Sequence, residues 1–314
     1  MNIMKRKKKM KTNKYIITAD WHLRADKPRC RLDDDWLQTQ KDILKFIYNI
    51  AHDNNADIII VGDIYNSSNE PNSVQNMFLL CALHASMSTN IYILAGNHEL
   101  PYHNWQKRND SAFGIIWNMT KLKDCKIKDL RQLGKAFPFG IDDENIFKQY
   151  SKSEKQNKLS MHTLVYKDKI PPYIKNAVTA QELLDKYSDV KWIFTGDNHH
   201  KFIYKNKNRY VINPGCIIRQ TADMINYKPS VYLIDFDNDS IKEIEIPDKK
   251  EMVTDEYIIL ENKRNDRIES FVSSITVDKD ISFDFIENIK EAMKKNDIDK
   301  DMEKYINDLI MEVK

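Results

Sequence analysis

Glycine is scarce in this chain, with seven residues in 314, where an average composition would give about 22. A chain this poor in glycine keeps it mainly where the backbone must turn tightly or approach another group closely. Four of the seven, at Gly62, Gly96, Gly196 and Gly215, lie inside short polar clusters. The scarcity therefore directs attention to these clusters as places where backbone geometry matters.

Cysteine is also sparse, and the four cysteines are scattered without a Cys-x-x-Cys pair. Neither a disulfide framework nor a thiolate zinc site is indicated, so we expect a cytoplasmic protein. No apolar run approaches the roughly 18 residues of a membrane-spanning helix, and we expect no membrane partner. The apolar run over residues 15–19 is too short for a signal-peptide core.

Positive charge is concentrated at the start of the chain. Residues 1–14 hold seven lysines and arginines and no acid; the whole chain has a net charge of +2, so the remainder carries −5. We expect residues 1–14 to be a basic disordered tail, with phosphate contact as the alternative. The mildly acidic remainder carries no global signature of nucleic-acid binding.

Through residue 100, short apolar runs that are typical of strands alternate with segments whose apolar residues have helical spacing. This βαβαβ order predicts a sheet with helices on both faces. The predicted strands cover residues 15–19, 58–61, 91–95, 159–165, 191–195, 209–212, 230–235 and 240–246. The predicted helices cover residues 36–50, 73–87 with Ser73 as cap, and 179–187 with Thr179 as cap, and residues 142–158 are predicted to be helix plus loop. Because the last three strands are expected to be antiparallel, we predict two sheets packed face to face.

A charged stretch near residue 250 marks a predicted boundary. It separates a catalytic domain, residues 15–247, from a C-terminal cap-like or partner-docking region, residues 252–314. Within the second region we predict a strand over residues 256–260 and helices near residues 267–275, 283–293 and 302–313. The predicted fold class is therefore α/β (α+β) with a small C-terminal α/β accessory region.

Six polar clusters carry the candidate chemistry, and most of them follow a predicted strand. They are Asp20-Trp21-His22, Gly62-Asp63, Gly96-Asn97-His98-Glu99, His162, Gly196-Asp197-Asn198-His199-His200 and Asn213-Pro214-Gly215. Open α/β sheets bind ligands at the carboxyl ends of their strands. Carboxylates, imidazoles and an amide in this number suit two divalent cations that share a carboxylate.

The clusters resemble the motifs of the calcineurin-like metallophosphoesterase superfamily and, within it, those of SbcD-type DNA repair nucleases, including compact phage forms. The resemblance covers about residues 15–240. It rests on Thr18-Ala19-Asp20-Trp21-His22-Leu23, Gly62-Asp63-Ile64-Tyr65, Gly96-Asn97-His98-Glu99, His162-Thr163-Leu164-Val165-Tyr166, Thr195-Gly196-Asp197-Asn198-His199 and Asn213-Pro214-Gly215-Cys216 with Arg219. It implies a two-sheet β-sandwich flanked by helices.

The resemblance also implies roles for individual residues. One cation would be held by Asp20, His22, Asp63 and His199, and the second by Asp63, Asn97, His162 and Asp197, with Asp63 bridging. His98 would bind no metal but would protonate the leaving oxygen or stabilise its charge. Arg219, Glu99 and His200 are candidates for binding the substrate. Arg219 fits a structural salt bridge equally well, Glu99 could orient His98, and His200 should point away from its neighbours.

One departure from the family pattern bears on the metal. Asp197 stands where cellular enzymes have histidine, and a carboxylate in place of an imidazole adds negative charge and favours a hard ion. We therefore expect Mn²⁺, with Mg²⁺, Fe²⁺ and Zn²⁺ as alternatives. Cys216, where the family usually has serine, is expected to matter little.

The resemblance implies a DNA nuclease that acts as a double-strand exonuclease and single-strand endonuclease. DNA, an SbcC-type ATPase and a second copy of the chain are the expected partners. The resemblance places the cytoplasm expected above in a bacterial or phage-infected cell. Leu23 and Ile64 argue against a protein phosphatase, which would have glycine and an Asp-Arg-Gly run at these places. Two alternatives stay open: a small-molecule or cyclic-nucleotide phosphodiesterase, and a non-catalytic metal-binding subunit that docks an SbcC-like ATPase.

Overall fold

The structure is a computed structural model. It describes residues 13–85, 89–140, 157–277, 285–296 and 298–312. Nearly all of the predicted basic tail and of the helix-plus-loop over residues 142–158 lies outside the described residues. The chain divides into two compact units, Met1–Val253 and Thr254–Lys314.

A six-stranded mixed sheet forms one layer of the first unit. Its strands are β1 (Lys14–Thr18), β2 (Asp57–Val61), β3 (Ile91–Leu94), β4 (Ile127–Asp129), β12 (Ser230–Asp235) and β13 (Ser240–Glu245). The order across the sheet is β13-β12-β1-β2-β3-β4. Strands β1 to β4 are parallel, whereas β12 and β13 pair antiparallel at one side. The parallel strands therefore end at a common edge.

A five-stranded sheet forms the second layer. Its strands are β5 (Lys135–Phe137), β6 (Lys158–His162), β9 (Trp192–Gly196), β10 (Phe202–Asn206) and β11 (Arg209–Asn213). The order is β10-β11-β9-β6-β5, with only β10 antiparallel to its neighbour among these described strands. A small parallel pair, β7 (Val165–Tyr166) and β8 (Val178–Thr179), follows His162.

Four helices of the first unit lie outside the sheets in the described residues. They are α1 (Trp36–Asp53), α2 (Asn72–Ala85), α3 (Ala112–Met119) and α4 (Ala180–Lys186). Thr179 caps α4 in a reciprocal capping box with Glu182, as predicted. Ser73 is not a cap, because α2 already begins at Asn72.

Successive side chains of a strand point to opposite faces of its sheet, and this alternation explains how the layers pack. In β1, Ile16 packs with the helices α1 to α3, whereas Ile17 faces the second sheet. Ile59 and Val61 of β2 likewise share a core with Trp192 of the second sheet. The helix α4 packs on the outer side of that sheet. The predicted mixed fold of two sheets flanked by helices is confirmed.

Two strand predictions need correction. Residues 209–212 were expected to pair with the strands that follow them, but β11 lies in the other sheet, parallel to β9. Its antiparallel partner is β10, which the sequence analysis did not predict. The turn Asn206-Lys207-Asn208, with Lys207 at a φ of 56°, is the hairpin signal that would have identified it.

The second unit is helical in the residues that the structure describes, so its prediction as α/β is wrong. Its helices are α5 (Glu256–Val277), α6 (Phe285–Lys295) and α7 (Lys300–Glu312), with a small core of Ile289, Met293, Met302 and Ile306. The run over residues 256–260 looked strand-like because it is apolar and contains two isoleucines. However, the Thr254 hydroxyl accepts a hydrogen bond from the Glu256 N–H at 3.2 Å and starts a helix there. Among the described residues no helix is long and apolar enough to cross a membrane.

A buried cluster of two arginines and two aspartates joins distant segments of the first unit. Arg31 contacts Asp33 at 2.6 Å and Asp248 at 3.1 Å, and Arg219 contacts the same Asp248 at 2.8 Å. All four side chains are at most 4% exposed. Asp248 therefore lies between two guanidinium groups and ties the end of the unit to segments that follow β1 and β11.

We predict that Asp248→Ala destabilises the protein strongly, because it takes a shared carboxylate from two buried guanidiniums. Removing one partner of a buried ion pair costs about 3–5 kcal/mol, and the free energy of unfolding in urea should fall by about that amount. Asp26→Ala is the control: Asp26 pairs with Arg24 but is 70% exposed, so its loss should cost less than about 1 kcal/mol. Equally small losses in both variants would contradict the structural role of the cluster.

Candidate metal centre

The predicted ligands come together because five parallel strands, β1, β2 and β3 in one sheet and β6 and β9 in the other, deliver them to one edge. The turns after β1 and β2 run side by side: the Asp20 N–H donates to the Gly62 carbonyl at 3.2 Å and the His22 N–H to the Asp63 carbonyl at 2.9 Å. Between the sheets, the Asp197 N–H donates to Asp20 Oδ1 at 2.9 Å.

The first group of ligand atoms surrounds His22. Its Nε2 lies 3.0 Å from Nε2 of His199 and 3.6 Å from Oδ2 of Asp63. Asp20 is fully buried, and its Oδ2 has no hydrogen-bond partner among the described residues. It adjoins this group through Asp63, because ligand atoms of Asp20, Asp63 and His162 lie within 4.8 Å of one another.

The second group surrounds His162. Its Nε2 lies 3.0 Å from Oδ1 of Asn97, 3.3 Å from Oδ2 of Asp63 and 3.9 Å from Oδ1 of Asp197. Its Nδ1 lies 2.8 Å from the Val61 carbonyl, to which it can only donate. That hydrogen bond orients the ring so that Nε2 is the atom directed at the ligands.

These residues fit a pair of divalent cations. Asp63 Oδ2 and Asp20 Oδ2 are buried without hydrogen-bond partners in the described part of the chain, although buried polar atoms almost always have one. Ligand atoms of Asp20, Asp63 and His162 lie within 4.8 Å of one another, as do those of His22, Asp63 and His98. Asp63 belongs to both sets, which is the arrangement that a bridging carboxylate requires.

The backbone is strained at four of the seven predicted ligands. Asp20, His22, Asp63 and Asp197 have φ values of 50°, 44°, 51° and 82°. Left-handed backbone costs an ordinary residue roughly 1–2 kcal/mol. Such strain concentrates where function fixes the direction of a side chain, and here it occurs at the strand ends that carry the ligands.

Burial and charge shift the pKa values in this cluster. Burial raises the pKa of Asp20 to about 7, and the Asp63 and Asp197 carboxylates add to the shift while His162 opposes it. Burial also raises the pKa of Asp63, but the neighbouring His162, His22 and His98 outweigh it and hold that pKa below its usual range. Cation binding to Asp20 therefore competes with its proton at pH values near and below that pKa.

The pKa values of His22 and His162 are shifted in opposite directions. Burial lowers the pKa of His22 to about 3, so this ring is neutral and able to bind a metal. Burial also disfavours the charged form of His162, but the Asp63 carboxylate dominates and raises its pKa to about 10. To hold a cation, His162 would have to give up its Nε2 proton, and the cation would then supply the positive charge beside Asp63.

His98 sits at the solvent side of the cluster. It is exposed, its Nδ1 lies 2.7 Å from the Asn66 carbonyl, and its ring is 4.6 Å from that of His22 in an edge-on arrangement. Donation by Nδ1 leaves Nε2 as the ring atom that can meet a substrate. Its backbone N–H donates to Asp63 Oδ1 at 3.1 Å, which links the position of the ring to the carboxylate that is predicted to bridge the cations.

Glu99 is not a substrate contact, and this prediction is corrected. Its side chain is fully buried. Its carboxylate accepts backbone N–H groups from Gly96 at 2.6 Å, from Asp63 at 3.2 Å and from Tyr65 at 3.1 Å, together with that of Ile64. Glu99 thus holds the strained turn that presents Asp63, rather than orienting the His98 ring.

Arg219 is also structural, because its buried guanidinium pairs with Asp248 and donates to the carbonyl of Ile225 at 2.9 Å. It cannot reach a phosphate from there. His200 is exposed, and its ring meets Tyr227 edge-on at 5.6 Å. It lies outside both ligand groups, and its contact with substrate stays a prediction.

Several supporting residues were missed by the sequence analysis. Asn213, in a cluster that was recognised without a role, donates to the carbonyls of Asn198 at 2.5 Å and of His200 at 2.9 Å. It thereby fixes the turn that carries two predicted ligands. The Val61 carbonyl and the Asn66 carbonyl orient imidazoles through the backbone, and no side-chain pattern signals such roles.

Two of the scarce glycines are required by close approach. A side chain at Gly62 would overlap the His162 ring, and one at Gly96 would overlap the Asp63 carboxylate. Gly62 also has a φ of 85°. Glycine therefore occurs where a metal ligand occupies the space of a Cβ.

We predict that Glu99→Gln weakens metal binding without altering any ligand, because an amide directs its own N–H groups at the backbone donors. Loss of such a support typically costs about 10–100-fold in metal affinity, and calorimetric titration with Mn²⁺ should show a drop of that size. Glu70→Gln is the matched control, since Glu70 is also buried but accepts from Ser67 at 3.0 Å. Unchanged Mn²⁺ affinity in folded Glu99→Gln protein would contradict the role given to Glu99.

Comparison with known structures gives distant matches. They are TT1561 of Thermus thermophilus (TM-score 0.45, 10% identity, 75% of this chain and 100% of that one), a novel archaeal phosphodiesterase (0.33, 13%, 74% and 99%) and Vps29 complexed with zinc from Entamoeba histolytica (0.31, 13%, 75% and 93%). Similarity at this level says nothing about substrate. No curated protein matches the sequence.

The family profile described as calcineurin-like phosphoesterase matches residues 14–201. This span is more than half of the chain and contains every predicted metal ligand from Asp20 to His199. The match agrees with two mixed sheets flanked by helices and with ligand groups that meet at one edge of the sheets. This chain therefore belongs to the calcineurin-like phosphoesterase family.

Proposed function

We propose that this chain is a Mn²⁺-dependent phosphodiesterase that acts as an SbcD-like DNA nuclease in DNA repair, recombination or phage DNA metabolism. Family membership gives the reaction class, which is metal-dependent hydrolysis of a phosphoester. The choice of diester, of DNA and of manganese is the proposal, and each has its own support.

The placement of arginine carries the choice of a diester. Arg31 and Arg219 belong to segments next to the first and last motifs, yet each is buried and pairs with a buried aspartate of the protein. A phosphomonoester carries two negative charges and is typically held by guanidinium groups. A phosphodiester carries one negative charge, which metal cations and imidazoles can neutralise without an arginine.

The residues directly after the first two motifs argue against a protein phosphatase. Leu23 and Ile64 are buried apolar side chains, at most 1% exposed, at places where a protein phosphatase would have glycine and the Asp-Arg-Gly run. Both side chains pack in the core beside α1 and α2, which supports a substrate other than a phosphoprotein.

In the proposed mechanism the metals and His98 have different roles. When bound, two divalent cations lower the pKa of water and neutralise charge that develops on the phosphate. Asp63 would hold both, Asp20, His22 and His199 would complete one site, and Asn97, His162 and Asp197 the other. His98, exposed at the solvent side, is placed to donate a proton to the leaving oxygen. The third carboxylate, Asp197, supports Mn²⁺ over softer ions.

DNA and an ATPase are proposed as partners on the strength of the motif resemblance to SbcD-type nucleases. One feature of the second unit supports the ATPase. Ile258, Ile259 and Leu260 lie near the start of α5 and are 37%, 48% and 65% exposed, and exposed apolar side chains of this kind suit contact with a partner protein. A second copy of the chain is a further proposed partner.

We predict Mn²⁺-dependent cleavage of end-labelled linear duplex and single-stranded DNA. His98→Ala should lower the cleavage rate constant by about 10²–10⁴-fold, the usual contribution of a general acid, while calorimetry still detects bound Mn²⁺. His52→Ala is the matched control, because His52 is exposed at the end of α1 and its ring contacts only Asp53 among the described partners.

Bis-p-nitrophenyl phosphate separates the alternatives. Cleavage of this diester without cleavage of DNA would favour the small-molecule phosphodiesterase. Bound Mn²⁺ with no cleavage of either substrate would favour the non-catalytic subunit that docks an ATPase. DNA cleavage that His98→Ala leaves intact would keep the nuclease but remove His98 from its mechanism.

A further inference from the structure

The turn that follows the third motif displays a tyrosine in an unfavourable backbone conformation. Tyr102 and His103 have φ values of 55° and 54°, a region that bulky side chains rarely adopt. Tyr102 is also 92% exposed, although a large aromatic ring normally gains free energy by burial. Both features cost stability, and strain of this kind is found where function fixes a side chain.

The turn is built onto the metal centre. The Asn97 carbonyl accepts the Leu100 N–H at 3.2 Å and also lies 3.2 Å from Nδ1 of His103. The Leu100 carbonyl accepts the His103 N–H at 2.9 Å, and the Leu100 side chain is buried. Asn97 is a predicted metal ligand, so Tyr102 is held at a fixed place with respect to the cations and to His98.

The surroundings of Tyr102 favour a nucleic-acid ligand over a protein. Its exposed neighbours in the chain are His103, Asn104, Gln106 and Lys107, so the ring stands in a polar segment rather than in an apolar patch of the kind that binds proteins. Every nucleobase has a flat face that can stack on an aromatic side chain whatever the sequence. The polar neighbours in the chain leave the ring open to such a base.

We propose that Tyr102 forms a nucleobase site: its ring stacks on the unpaired base next to the phosphodiester that is cut. This inference rests on the proposed nuclease function and specifies its substrate as a single strand or a frayed duplex end. The base would be bound by stacking alone, so the site would select for an unpaired nucleotide and not for a sequence.

Photocrosslinking tests the contact directly. A single-stranded oligonucleotide with 5-iodouracil is bound to the Mn²⁺-loaded full chain, irradiated, and the crosslinked peptide is identified by mass spectrometry. We expect the crosslink at Tyr102 and its loss in Tyr102→Ala. Tyr173→Ala is the matched control, because Tyr173 is 81% exposed on another loop and its removal should leave the crosslink in place.

Kinetics with the same variants give a second readout. Tyr102→Ala should raise KM for the single strand by about 5- to 150-fold, the range for loss of one stacked base, and Tyr102→Phe should restore it. An abasic nucleotide beside the cleaved bond should cost wild type a similar factor and Tyr102→Ala little more, because the base and the ring act together.

The outcomes separate the two proposals. If DNA is cleaved but the crosslink maps elsewhere and Tyr102→Ala keeps its KM, the nucleobase site is wrong and the nuclease stands. If wild type neither crosslinks to nor cleaves DNA while it hydrolyses bis-p-nitrophenyl phosphate, both proposals fail. A Tyr102 crosslink with an unaltered KM for the abasic strand in wild type would also overturn stacking at the cut bond.

Discussion

The carboxylate of Glu99 holds together the two strand ends on which the centre depends. It accepts backbone hydrogen bonds from Gly96 after β3 and from Asp63, Ile64 and Tyr65 after β2. Without these bonds the left-handed turn at Asp63 would have three unpaired N–H groups and a strained φ, and Gly96 after β3 would have a fourth unpaired N–H. The direction of Asp63, and through it the distance between the two ligand groups, follows from this one buried acceptor.

The same site concentrates charge that folding alone does not neutralise. Asp20 and Asp63 are fully buried, and each has a carboxylate oxygen without a hydrogen-bond partner in the described residues. The proton on Asp20 and the charged form of His162 offset part of this cost in the absence of cations, as their raised pKa values indicate. Divalent cations complete the neutralisation, so metal binding and stability are coupled.

Much of the fold and site could be predicted because the signals are local. Apolar runs such as that in β2 end directly at ligands, and glycine is kept where a ligand needs the space. The roles predicted for Arg219 and Glu99 were wrong because their partners are distant in sequence. Arg219 pairs with Asp248, and Glu99 accepts hydrogen bonds from the turn after β2. Residues 256–260 failed for the opposite reason, since an apolar run resembles a strand until the cap at Thr254 is recognised. The parallel pairing of β11 with β9 was set by tertiary contacts, since only its hairpin with β10 has a local turn signal.

The most direct test of the account is electron paramagnetic resonance of the chain loaded with two equivalents of Mn²⁺. A carboxylate shared by two ions brings them close enough for their spins to couple. We predict the signal of a spin-coupled manganese pair with halved hyperfine spacing, and its disappearance in Asp63→Ala. A spectrum of isolated Mn²⁺ ions at full occupancy would contradict the claim that Asp63 bridges two metal sites.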